Sequence, residues 1–129
     1  MRKSVKKLKI AVVILIILPI CIIASHLYLN ASSERMVTML SDIEKNAFSN
    51  QSVSDRQLDA FMSEWSKNRE IYSTFIRHAE LDIANQSASK LKAYFDDEEK
   101  SNFFAECDTL KMQISHIAET EHFSLGNIL

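Results

Sequence analysis

Glycine and proline are nearly absent from this 129-residue chain: there is one of each, Gly126 and Pro19. Tight hairpin turns draw on glycine and on Asn-Gly or Asp-Gly pairs, so the chain has little material for an antiparallel sheet. Ala, Leu, Glu, Lys, Gln and Met are plentiful instead, which points to an all-α fold. Cysteine is scarce as well. Cys21 lies in a long apolar run and Cys107 in the polar stretch beyond it. They cannot meet within one chain, so no internal disulfide framework exists and stability must come from helix packing. Cys107 reads as a small buried apolar residue. Basic charge is also short after the N-terminus. From Asn30 onward there are ten Lys+Arg against seventeen Asp+Glu, a formal charge of −7. That sign argues against nucleic acid as a partner, because phosphate binding needs a basic surface.

The dominant feature that is present is the run at residues 10–29, IAVVILIILPICIIASHLYL. At ~1.5 Å per residue, twenty helical residues cover ~30 Å, the thickness of a bilayer's hydrocarbon core. Leu, Ile and Val insert readily, a proline is tolerated in a membrane helix, and Tyr28 and His26 suit the interface. A cleaved signal peptide would have a shorter apolar core followed by small residues, and Ile22-Ile23-Ala24 is a poor cleavage point. A lipoprotein signal would place a small residue before Cys21, where Ile20 stands. The run is therefore expected to be a retained signal anchor. Arg2, Lys3, Lys6, Lys7 and Lys9 precede it, and the nearest basic residue beyond it is Arg35. This asymmetry puts residues 1–9 in the cytoplasm as a basic stub and residues 30–129 outside as a helical domain. The expected location is the cell membrane, with a single span.

In the outer part, apolar residues recur at helical spacing. Met36, Leu40, Ile43 and Ala47 share one face, after a polar hinge at residues 30–33 through which a helix could also continue. Residues 49–53 read as a loop, and Ser54 with Gln57 as a capping box opening the next helix. That helix carries Leu58, Phe61, Met62, Trp65, Tyr72, Phe75, Ile76 and Ala79, with Arg69 interrupting the stripe and a bend allowed near Asn68. Leu81, Ala84, Ala88, Leu91 and Phe95 form a third face, and Phe103, Cys107, Leu110, Ile114 and Ile117 a fourth. The expected helices are approximately 33–48, 55–78, 80–96 and 98–118, with the second and third parted by a turn near residues 78–83. Together they predict one transmembrane helix followed by a small antiparallel bundle of three to four helices. Asp96, Asp97, Glu98 and Glu99 lack the glycine and alternation of a calcium loop, so an Asp is read as the cap of the last helix. Residues 119–129 form a tail whose Phe123, Leu125, Ile128 and Leu129 could dock on the bundle.

Chemistry-bearing clusters are few. His78 and Asp82 are four apart and share a helix face. His116, Glu119 and His122 would approach them if the second and fourth helices were neighbours, and His with carboxylates suits zinc or another divalent metal. No HExxH and no paired ExxH motif accompanies them, so no metal site is assigned and these stand as weak candidates beside a plain helix-end role for His78. No Gly-rich phosphate loop or nucleophile elbow is present, so neither an enzyme nor a cofactor is expected. Trp65, Tyr72 and Phe75 form an aromatic stripe that reads first as core. The alternative is a groove for a partner helix or an apolar ligand.

Four stretches carry a resemblance: WSKNREIYSTFIRHAELDI at residues 65–83, SKLKAYF from Ser89, AECDTLK from Ala105, and SHIAETEHFSLGNIL from Ser115. In that order and spacing the chain resembles the bacterial family called domain of unknown function 4363, whose members carry an N-terminal anchor and a helical domain. Gly126 and Ala79 stand where the family pattern has acidic residues. The resemblance implies the architecture and brings no activity. The functional expectation is a membrane-anchored, extracytoplasmic interaction or accessory module that binds another membrane or envelope protein. The alternatives are an extracytoplasmic ligand or metal sensor, and a coiled-coil-like homodimer through residues 36–47.

Overall fold

The computed structural model describes residues 2–128, with side chains described through residue 120. Four helices account for it: α1 (Arg2–Asn46), α2 (Gln51–Tyr72), α3 (His78–Asp96) and α4 (Lys100–Ile128). No strand occurs among the described residues.

Of the two readings of residues 30–33, a hinge or a continuing helix, the structure has the helix. α1 runs unbroken for 45 residues, with Pro19 inside it. Nothing between Ile20 and Asn46 breaks a helix, and the serines at the expected hinge bond back along it. Ser32 donates to the Tyr28 carbonyl at 2.7 Å and Ser33 to the Asn30 carbonyl at 3.0 Å. The two halves of α1 differ in what surrounds them. Residues 2–24 are exposed throughout, and burial sets in at Ser25. This first half contains the segment that is long and apolar enough to cross a membrane. The second half buries Leu29, Met36, Leu40 and Ile43 completely and forms one wall of a bundle.

The bundle is a ring of four. α1 packs on α2 and α4, and α3 packs on α4 and more sparsely on α2, so α1 faces α3 and α2 faces α4 across the diagonals. Connections of four, five and three residues make successive helices antiparallel. The core contains the apolar stripes expected from spacing except at Met62 and Phe75, which are half-buried, and Ala79, which is exposed beyond the α2–α3 turn; Phe61, Trp65, Tyr72, Phe95 and Phe103 are its largest side chains. The second stripe runs through Asn68, which is itself fully buried, and α2 has no break there.

Helix ends depart from expectation. α2 begins at Gln51, and Asn50 precedes it without a side-chain cap. Ser54 is not the cap: it is buried one turn inside and donates back to the carbonyls of Asn50 and Gln51. The α2–α3 turn falls at residues 73–77, earlier than expected. Ser73 and Thr74 hydroxyls there donate to the carbonyls of Glu70 and Ile71, and Arg77 is extended. α3 closes in a Schellman arrangement: Glu98 takes φ 57°, its N–H reaches the Phe95 carbonyl, and the Glu99 N–H reaches the Tyr94 carbonyl. The acidic run therefore ends α3 as much as it starts α4, and it is the Glu99 backbone carbonyl that accepts the first bond of α4, from the Phe103 N–H. Where a tail was expected, the α4 backbone stays helical to Ile128. The docking of Phe123, Leu125, Ile128 and Leu129 lies outside the described residues.

The far end of the bundle is closed by aromatics. Phe48 takes the left-handed φ of 65° and stacks against Phe95, Phe103 and Phe104 at centroid distances of 5.4–5.9 Å. Lys100 lies over its ring at 5.7 Å. A non-glycine residue in that conformation costs ~1–2 kcal/mol, which this packing offsets.

Candidate functional site

The most elaborate polar arrangement is a seam between α1 and α2, next to the apolar half of α1. Tyr28 donates to the Asn68 side-chain oxygen at 2.5 Å. Ser32 and the Tyr72 hydroxyl form a short hydrogen bond. The Asn68 amide reaches the Met36 sulfur and a Glu64 oxygen, both at 3.4 Å. Arg35 lies 3.9 Å from Glu64 at the rim. The Tyr28 and Tyr72 rings meet edge-on at 6.4 Å. Buried polar groups are costly unless satisfied, and here each finds a partner across the helix pair, which fixes α1 against α2 in one register. Burial pushes the Tyr72 hydroxyl up to about 12, although the Ser32 hydrogen bond pulls the other way.

A second polar contact ties α1 to α4. Lys111 donates to Glu44 at 2.9 Å, with Asp108 at 3.5 Å. Burial works against the charged Lys111, but the hydrogen bond and charge of Glu44, with Asp108, outweigh it and leave its pKa raised. Beside it, burial and then the Glu44 charge push the Cys107 thiol up to about 12. Cys107 is fully buried, an inert packing thiol rather than a reactive one.

The residues singled out from sequence separate. Trp65 and Tyr72 are 1 % exposed and belong to the core, so they do not line an outer groove; Trp65 also donates to Asn85 on α3 at 3.2 Å. Only Phe75 reaches the surface, half-buried in the α2–α3 turn. His78, Asp82 and His116 are all exposed. Helices α2 and α4 are diagonal, not adjacent. Among the described residues no group of three or more His, Cys, Asp and Glu could hold a metal ion. The His122 side chain lies outside the described residues. An open depression follows Lys111, Met112, Ser115, His116 and Glu119 along α4, without a converging set of polar groups.

Sequence reasoning missed the polar half of the seam. Ser32 and Asn68 sit at core spacing, four before Met36 and three after Trp65, and that spacing was the available signal.

The model of the family described as domain of unknown function (DUF4363) matches residues 23–128, the whole bundle and the end of the apolar run. The chain belongs to this family. No curated protein and no solved structure matches it.

Proposed function

We propose that this DUF4363 chain is a single-pass membrane protein, with a cytoplasmic N-terminus, that holds a four-helix interaction domain on the extracytoplasmic side as an accessory to another membrane or envelope protein. The observation that carries the reading is the continuity of α1. One helix presents an exposed apolar half and then becomes a wall of the bundle, without a linker. The five basic residues before the apolar half support the orientation. The absence of a catalytic motif and the acidic outer charge support binding over chemistry.

The test is in-cell cross-linking of the tagged full chain, detergent extraction and mass spectrometry. Asn102→Cys labelled by an impermeant thiol reagent reads the topology. The proposal expects extraction only with detergent, labelling from outside, and one stoichiometric membrane or envelope protein in the cross-linked species. Recovery from the soluble fraction overturns the anchor. Labelling only after lysis overturns the orientation. Recovery of the chain alone overturns the accessory role and favours the competing sensor reading, which predicts a rise in thermal stability with a metal or small ligand.

A further inference from the structure

The placement of the α2–α3 turn carries an inference that rests on the membrane-anchor reading and goes beyond it. Paired contacts set the register of α2 against α1. Gln57 bonds Asn46, Asn68 meets Met36, and Tyr72 meets Ser32 and the Tyr28 ring. Each step along α2 toward its C-terminus is a step back along α1 toward the apolar half. One further turn of α2 therefore lies level with about residues 28–31 of α1, at the end of the apolar run. That turn is residues 73–76, with Ile76 donating to the Tyr72 carbonyl at 2.8 Å. Ser25 is where burial against the bundle gives way to the fully exposed apolar half of α1. If that half lies in a bilayer, the turn sits about one helical turn beyond its edge, at the depth of the headgroups.

The chemistry of the turn suits that layer. Arg69, Arg77 and His78 are exposed, with Lys67 one position before buried Asn68. Against them stand Glu70 and Glu80, so residues 67–80 carry an excess of one positive charge, bounded by Glu64 and Asp82, in a domain that is acidic elsewhere. The opposite end shows the contrary sign, with Asp96, Asp97, Glu98 and Glu99 against Lys100. Phe75 is half-buried and Ile71 is 37 % exposed, apolar side chains among the arginines. Arg beside an aromatic is the combination that an anionic interface accepts, the guanidinium meeting phosphate and the ring resting at headgroup depth.

We propose that the α2–α3 turn is a second membrane contact, in which Arg69 and Arg77 engage anionic lipid headgroups of the outer leaflet and Phe75 enters the interface. The bundle then stands on the membrane at two points, the span and this turn, and its tilt is set.

The experiment uses the full chain reconstituted into vesicles of phosphatidylcholine with or without phosphatidylglycerol. Cys21→Ala removes the accessible thiol, and buried Cys107 stays unlabelled. An environment-sensitive fluorophore is placed in turn at Thr74→Cys, at Ser101→Cys on the far end, and at Ile16→Cys in the span. Ser73→Cys substitutes if the Thr74 variant does not fold. The expected result is quenching of the Thr74 label by a headgroup-level quencher in phosphatidylglycerol vesicles, with the Ser101 label unaffected. Raising salt weakens the contact, because exposed charges are screened. Arg69→Gln with Arg77→Gln shifts the bound-to-free ratio of the turn ~25-fold, at ~5-fold per basic residue. A Thr74 label as wet as the Ser101 label, with the Ile16 label dry, overturns this inference and leaves the anchor standing. A wet Ile16 label overturns both. Equal quenching in pure phosphatidylcholine, unchanged by the Arg substitutions, overturns the anionic assignment.

Discussion

The α1–α2 seam makes a quantitative prediction about Asn68. Its side chain is fully buried, accepts from Tyr28 at 2.5 Å and donates toward Glu64 and Met36. Asn68→Ala strands the Tyr28 hydroxyl and opens a small void, for an expected cost of ~2–4 kcal/mol. Tyr28→Phe keeps the ring contact with Tyr72 and strands the Asn68 oxygen instead, for ~1–3 kcal/mol. Once either partner is gone, removing the other loses less, because the bond is already broken. The double variant should therefore fall short of the sum by ~1 kcal/mol, the usual net worth of such a bond. Urea unfolding of the full chain in a mild detergent reads all four species. Trp65, the single tryptophan, is 1 % exposed and reports the loss of the core through its emission. Additivity within ~0.3 kcal/mol would refute the seam as an energetic link between α1 and α2.

Trp65→Ala removes the largest fully buried side chain and orphans Asn85, and thermal unfolding by circular dichroism should show a loss of ~3–5 kcal/mol. Glu98→Gly relieves the left-handed φ of 57° and one charge of the acidic run, so the same measurement should show a gain of ~0.5–1 kcal/mol. Cys107 and Tyr72 both have raised folded pKa values, so the folded state holds protons that the unfolded state releases. Their contribution is complete below pH ~8, where unfolded thiols and phenols are still protonated, and is lost as pH rises toward 12. Denaturation midpoints should fall across that window, and Cys107→Ala should remove the part of the fall that begins above pH ~8. Because α1 is continuous, inserting two residues after Ala24 turns the bundle by ~200° against the apolar half, whereas seven return it to within ~20°. The partner cross-link sought above should vanish with the first insertion and survive the second; equal yields would show that phase does not matter.

How far the sequence could be read depended on polarity. The core members of all four stripes were legible because apolar residues at a 3-4 spacing leave few alternatives: Leu40, Leu58, Leu91 and Leu110 are each buried as the spacing requires. Ser32, Ser54, Asn68 and Ser87 occupy the same faces and are just as buried, yet residue type alone marks them as surface or cap. Ser54 shows why. A hydroxyl can bond forward to cap a helix or backward to a carbonyl inside one, and the sequence S-D-R-Q serves either. Here the packed position decided it. The same ambiguity made residues 30–33 look like a hinge, although their serines are satisfied within α1. The α2–α3 turn was hard to place for a different reason: no glycine marks it, and β-branched Thr74 and Ile76 with extended Arg77 end the helix instead. The candidate metal residues lay on helix faces whose neighbours only the ring order of the bundle determines.

The ring order also bears on what kind of partner could be reached. On the proposed anchor, the bundle's height is the length of α1 beyond the membrane, residues 29–46, or ~27 Å of helix. With no linker between span and bundle, the domain has no reach of its own. A protein that meets it must lie within that height of the membrane, which favours another membrane protein or a closely attached envelope component over a distant wall. On that anchor the end of the bundle beside the membrane would be the α2–α3 turn, and the far end the acidic run beside Phe48. A membrane-embedded partner would approach from the side, and the flanks of α3 and α4 each carry an exposed apolar side chain. Those faces differ: Ile83 is 54 % exposed on the first and Met112 68 % on the second. Isolated apolar side chains of this kind are ordinary on a surface and identify no interface alone. The rigid α1 nonetheless restricts the search to the flanks of the bundle and to the lipid-facing half of α1 itself.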